Sequence, residues 1–271
     1  MVAMLCVVMS TVGTRVVAED ETAGSVRITI IYDNTVYRGG VRADWGFAAV
    51  IERGGEMILF DTGASGRILF GNMEALGFDP SDVDAVILSH AHADHTGGLA
   101  GLLSTRVHPT VYLPAAFPER FKNDVRALTT VVETHTGDTV VAGLRSVTLS
   151  AGTTTGGRAL VEQAVAVETP EGLVLVTGCA HPGIVPLAEE AIRIGGAGTQ
   201  IALAMGGFHL MNLDGRSVER VMTQLRELGV ERVMPAHCTG PAAIEQFASF
   251  FGPACLDGGA GRSVSFSPRG R

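Results

Sequence analysis

The segment His90-Ala91-His92-Ala93-Asp94-His95 places three imidazoles and a carboxylate within six residues. Neutral imidazole and carboxylate are ligands of zinc, iron and manganese, and a solvated polar loop has no use for so many donors. The spacing carries geometry. His90 and His92 stand two apart, so on an extended backbone they point to the same side and can hold one ion. Asp94 and His95 lie past the following bend and can face a second ion beside it.

The elements around the segment have to hold it still. Residues 83–88 are an apolar run that predicts a buried strand, and Thr96-Gly97-Gly98-Leu99 reads as the opening of a helix with its positive end near the site. Further strands are expected at 26–32, 47–51, 57–60, 110–113, 129–132, 146–149, 161–167, 173–176, 200–205 and 230–234. Helices are expected near 68–76, 184–194, 218–228 and 242–250. Strands first, then strand–helix alternation, predict sheets covered by helices rather than an all-β sandwich.

The same grammar recurs elsewhere in the chain. Leu59-Phe60-Asp61, Val176-Thr177-Gly178-Cys179-Ala180-His181, Met205-Gly206-Gly207-Phe208-His209 and Met234-Pro235-Ala236-His237 each run from an apolar strand to a group that binds metal or a proton. Such groups converging from several strand ends make a site at one edge of a layered fold. His108 and His135 have no motif around them and read as surface or packing residues. Asn34 and Asp44 flank early strands, where they line the mouth or serve turns. The loops at 38–47, 115–124 and 212–217 are read as pocket walls, with Arg42, Arg120 and Lys122 as contacts for an anionic group or as solvated charges.

Bulk properties narrow the class. The 271 residues are 46% hydrophobic and 18% charged, ordinary for a globular chain and enough for a sizeable core. A net charge of -8 argues against gripping nucleic acid by electrostatics, so a small substrate, anionic or not, is the expected partner. The cysteines at 6, 179, 238 and 255 form neither a CxxC pair nor a disulfide framework. Residues 1–25 read as a candidate signal peptide or disordered segment, leaving cytoplasmic and exported locations both open; residues 26–271 read as one domain. No apolar stretch approaches the ~20 residues of a membrane span.

These segments resemble the metallo-β-lactamase superfamily of metal-dependent hydrolases. Its HxHxDH signature is matched at His90, His92, Asp94 and His95, and Phe60-Asp61-Thr62-Gly63 looks like its first motif. Within the superfamily, Asp44-Trp45-Gly46-Phe47, residues 177–184, Gly206-Gly207-Phe208-His209-Leu210 and Pro235-Ala236-His237-Cys238-Thr239-Gly240 most resemble the branch named for dihydropterin-ribofuranosylaminobenzene phosphate synthases. The likeness covers about residue 26 to about residue 260. It implies an α/β (α+β) fold: a four-layer αββα sandwich of two mixed β-sheets with helices on the outer faces.

The resemblance also implies a site. His90, His92 and His181 would hold a first divalent ion, and Asp94, His95 and His237 a second, with zinc first choice and iron or manganese as alternatives. Asp61 would support the ligands from behind. The chain departs from the family in two places. No histidine occurs in the loop at 153–158, and Cys179 stands where a bridging aspartate is expected, as a ligand, a small buried residue or a redox-sensitive thiol. His209 is open between ligand, structural histidine and proton donor to a leaving oxygen, and is carried forward as the donor. Asp94 would also orient the nucleophile. The implied reaction is hydrolysis at a carbonyl or phosphoryl centre. A condensing synthase, a one-iron persulfide dioxygenase and a non-catalytic metal-binding module are the alternatives.

Overall fold

Two β-sheets face each other across an apolar layer, and the computed structural model describes them through residues 24–153 and 159–268. The candidate signal segment, up to residue 23, and residues 154–158 of the histidine-free loop lie outside the described residues. The first sheet holds β1 (Val26–Tyr32), β2 (Ala48–Arg53), β3 (Glu56–Phe60), β4 (Val83–Ile87), β5 (Thr110–Pro114) and β6 (Val131–Thr134). The second holds β7 (Thr139–Val141), β8 (Leu144–Thr153), β9 (Ala159–Thr169), β10 (Gly172–Thr177), β11 (Ile201–Gly207) and β12 (Val233–Ala236). A last strand, β13 (Ser263–Phe266), returns to pair with β1. Both sheets are mixed: β3 to β6 and β10 to β12 run parallel, the remaining neighbours antiparallel.

The apolar character of β4 after the exposed Asp84 follows from its having a core on each face. Ala85 and Ile87 point into the layer between the sheets, with Phe60, Val165, Val176 and Met205. Val86 and Leu88 point outward, under Leu69 and Met73 of α1 (Gly66–Leu76). After α2 (Ala93–Thr96), α3 (Leu99–Leu103) and α4 (Glu119–Arg126) complete the cover with Leu102 and Val125. On the far side, α5 (Ile184–Gly195), α6 (Gly215–Glu227) and α7 (Pro241–Phe251) bury Leu187, Met222 and Phe247 against the second sheet. Each such side chain contributes roughly 1.5–3 kcal/mol. The result is the four-layer αββα sandwich. Among the described residues, no helix is long and apolar enough to cross a membrane.

Several local expectations need correcting. The helix expected to open at Thr96-Gly97-Gly98-Leu99 begins earlier: α2 is a single turn starting at Ala93, so Asp94 and His95 are helical, and α3 follows as a separate piece. Of residues 115–124, read as loop, those from Glu119 on belong to helix α4. Its apolar stripe is thin, because one of its two buried positions is Lys122. That lysine is no substrate contact. Its side chain is 2% exposed, reaches Glu119 and Glu133, and donates to the Ala115 carbonyl at 2.9 Å. α6 starts at Gly215, capped by the Asp214 carboxylate, which accepts from the Ser217 N–H.

The strand directions decide where chemistry can occur. β1, β3, β4, β10, β11 and β12 all end at one edge, and the segments carrying Asp33, Asp61, His90, Cys179, His209 and His237 leave from there. The sheets are stitched together at this edge by Gln163 of β9. Its N–H donates to Ser89 O at 2.9 Å and its Nε2 to Leu88 O at 2.7 Å.

Candidate metal centre

Two sets of donors meet at that edge. The possible ligand atoms of His90, His92 and His181 lie within 4.8 Å of one another, and so do those of Asp94, His95, Cys179 and His237. A third grouping, Cys179, His181 and His209, overlaps both sets. Cys179 belongs to the second set and, through the third grouping, lies beside His181 of the first. Its Sγ is 3.2 Å from His95 Nε2. His209 is exposed, and its ring centre lies 4.4 Å from that of His181. His108 and His135 lie elsewhere, beside Leu128 O and Asp138.

Four of the imidazoles, those of His90, His95, His181 and His237, are held from behind. Asp61, fully buried, accepts from Ser89 N–H and Ser89 Oγ–H at 2.7 Å and lies 2.7 Å from His95 Nδ1. This contact turns His95 Nε2 forward. Ser89 Oγ also lies 2.9 Å from His90 Nδ1, leaving His90 Nε2 forward, 2.9 Å from His92 Nδ1. Asn34 does the same for His237, with its Oδ1 3.0 Å from Nδ1. The remaining support is a residue that the motif reading passed over. Glu162 of β9 is fully buried; it accepts from the N–H groups of Cys179, Ala180 and His181 at 2.7–2.8 Å and lies 2.7 Å from His181 Nδ1. A glutamate inside the apolar stretch of β9 was the available signal, since a charge in such a place needs partners.

The electrostatics suit a cation. Burial and the neighbouring His95 push His90 down to about 3, and burial with His237 pushes His95 down to about 4, so both are neutral at pH 7 with lone pairs free. Burial would raise the Asp94 carboxyl, but the His237 and His95 rings hold it well below the usual carboxylate range. Burial raises Asp61 to about 7 against the pull of His90 and Ser89. Contact with Cys179 pushes the Cys238 thiol down to about 5 and Cys179 well up, because the buried pair admits one negative charge. Cys238 in turn raises His209. One atom tests the fit directly. His237 Nε2 is buried with no hydrogen-bond partner, its nearest acidic atom being Asp94 Oδ2 at 3.5 Å. An orphaned buried nitrogen costs about 1–3 kcal/mol, and a cation between it and Asp94 would remove that cost. The donor chemistry and this orphan both fit a divalent ion.

The backbone is bent to achieve this. Among the described residues, the non-glycine residues with positive φ are Asp61, Ala180, His209 and His237, all at this edge. Gly178 is required for a different reason. A Cβ there would stand 2.2 Å from Ser89 Oγ and 2.9 Å from Asp61 Oδ2. Gly178→Ala is expected to destabilise the metal-free chain by about 1–3 kcal/mol through displacement of that pair, read as a lowered thermal midpoint. An unchanged midpoint would show that the pair can yield.

Beside His92 a cavity of about 1110 Å³ opens between α4 and the start of β9. Its walls are largely apolar, with Phe117, Phe121, Leu160 and Val161. The cation among its lining residues, Arg120, lies 4.0 Å from Asp124.

Residues 44–237 match the family model of the metallo-beta-lactamase superfamily, and the chain belongs to that superfamily. It is 28% identical over 241 residues to the 7,8-dihydropterin-6-methyl-4-(beta-D-ribofuranosyl)-aminobenzene-5'-phosphate synthase of Methanocaldococcus jannaschii, covering 72% of this chain and 79% of the relative. Among solved structures it is similar to Tm1679, a metal-dependent hydrolase of the β-lactamase superfamily, with a TM-score of 0.74, 27% identity and coverage of 89% and 99%. YhfI of Bacillus subtilis shares the fold at a TM-score of 0.65 and 16% identity, with the same coverage.

Proposed function

We propose that the chain is a metal-dependent hydrolase acting on a carbonyl or phosphoryl centre of a small substrate. The observation that carries this reading is two adjacent donor sets, linked by the grouping of Cys179, His181 and His209. His90, His92 and His181 would hold one divalent ion, and Asp94, His95 and His237 a second, with Cys179 between. Such ions supply a nucleophilic water at neutral pH and stabilise charge on the attacked centre.

The chain's own groups have separable tasks. Asp61, Ser89, Asn34 and Glu162 fix ring orientation, so the forward nitrogens are set before anything binds. Asp94 stays ionised and orients the nucleophile. His209, exposed and raised by Cys238, is a proton donor for the leaving oxygen, reaching the same centre through its contact with His181. The apolar cavity beside His92 takes the body of the substrate.

A second reading has a specific observation behind it: the Methanocaldococcus jannaschii relative, matched over most of both chains, is a synthase. The same site would then activate a leaving group during condensation. Removing metal with a chelator and restoring zinc, manganese or iron(II) separately tests both readings. Hydrolysis of a lactone, ester or phosphodiester panel should fall below about 1% on chelation and return with one of the ions. Release of diphosphate from a dihydropterin diphosphate that requires an aminobenzene ribotide as the second substrate, with no hydrolysis of the panel, would favour the synthase.

A further inference from the structure

We propose that Trp45, with the β1–β2 connection that carries it, builds the ion position of Asp94, His95, Cys179 and His237 and leaves the other position alone. The inference rests on the reading of both donor sets as ion positions. Trp45 Nε1–H donates to Asp94 Oδ2 at 2.9 Å. That oxygen is the one facing the set, 3.7 Å from His95 Nε2 and 3.5 Å from His237 Nε2. The indole ring lies against the other wall, its centre 5.0 Å from the His237 ring. An indole nitrogen only donates, so Trp45 cannot itself be a ligand; it aims one.

The rest of the connection grips the same two residues. Asp33 Oδ1 accepts from the His237 N–H at 2.9 Å, and Asn34 Nδ2 donates to His237 O at 3.0 Å. Phe47 N–H donates to Asp94 O at 3.2 Å. Gly46 ties the two grips together by donating to Asn34 Oδ1 at 3.1 Å. It passes so close that a Cβ would stand 2.5 Å from Asp94 O. Among the described residues, no hydrogen bond from this connection reaches His90, His92 or His181; His90 is held by Ser89, His181 by Glu162, and His92 meets His90. This connection thus serves one position alone, while the Ser89–Asp61 pair, which meets His90 and His95, and Glu162, which meets His181 and Cys179, serve both. Trp45 is 47% exposed, and its loss leaves the cores untouched. It is a positioning residue.

Trp45 is also the single tryptophan of the chain, so its emission reports on this position directly. The experiment is a titration of the metal-free full chain with Zn²⁺ against a competing chelator, following emission and bound zinc together. Two equivalents are expected, one of which changes the emission. Trp45→Phe should weaken one equivalent about 10- to 100-fold, keep the other, and leave the unfolding temperature of the metal-free chain unchanged. Asn34→Ala should show the same selective loss while keeping the fluorophore. His92→Ala should remove the other equivalent and preserve the emission response. Two equivalents bound by Trp45→Phe as tightly as by the wild type would overturn the inference while sparing the hydrolase reading. So would emission that stays flat through both. A wild-type chain that takes up no zinc, manganese or iron overturns the reading of the site and this inference with it.

Discussion

Replacing His92 by alanine should lower turnover by about 10³-fold or more and remove one bound ion, while the metal-free variant unfolds where the wild type does. The size of the effect comes from where the side chain lies. His92 is exposed at the mouth, its Nδ1 2.9 Å from His90 Nε2, and it belongs to no apolar cluster. Its backbone carbonyl starts α2 by accepting from the His95 and Thr96 N–H groups, and alanine keeps that carbonyl. On the proposed reading, the substitution therefore deletes a ligand without opening a cavity. Losing one of three donors weakens the ion, and with it several kcal/mol of charge stabilisation, each ~1.4 kcal/mol being a factor of ten. Metal analysis beside a thermal melt separates the two effects. Full activity in this variant would contradict the assignment of the motif.

Glu162→Gln should do the reverse: lower stability first and activity as a consequence. One carboxylate oxygen takes the Cys179 and Ala180 N–H groups, and the other takes the His181 N–H and faces His181 Nδ1. An amide has one acceptor oxygen, so its NH2 must confront one of these pairs of donors. Burial alone would raise the Glu162 carboxyl, yet His90, His181 and these N–H groups hold it well below the carboxylate range, a sign of how closely the site is built around a charge. With each stranded donor costing about 1–3 kcal/mol, roughly 2–6 kcal/mol is at stake. That is a large part of the ~5–15 kcal/mol that keeps a domain folded. At ~2–4 °C per kcal/mol, the midpoint should fall by roughly 5–20 °C. A midpoint within a degree of the wild type would mean the carboxylate is dispensable.

Much of this arrangement was legible in the chain, for identifiable reasons. β4 could be read because, past the exposed Asp84, both of its faces are buried and its residues are apolar on both. The donors could be read because each follows such a strand. α4 escaped notice because its inner face is supplied by Lys122 and Val125, a pattern with little apolar period. β13 escaped because its serines alternate with Val264 and Phe266 at a sheet edge, with few residues to show it. The supports were the least legible part. Asn34 and His237 lie 203 residues apart, Trp45 and Asp94 49, and polar side chains carry no periodic mark of the partner they meet. Glu162 was the exception that could have been found, as an acid in the interior of a largely apolar strand.

The stitch made by Gln163 lies where the two donor sets meet, and neither sheet carries a complete set. His90 and His92 leave the first sheet and His181 the second; Asp94 and His95 leave the first, Cys179 and His237 the second. Ions lodged there would act as rivets across the seam, so holding metal and keeping the halves closed become one equilibrium. A fragment that ends before the second sheet keeps the whole HxHxDH signature and still lacks His181 of one cage and Cys179 and His237 of the other.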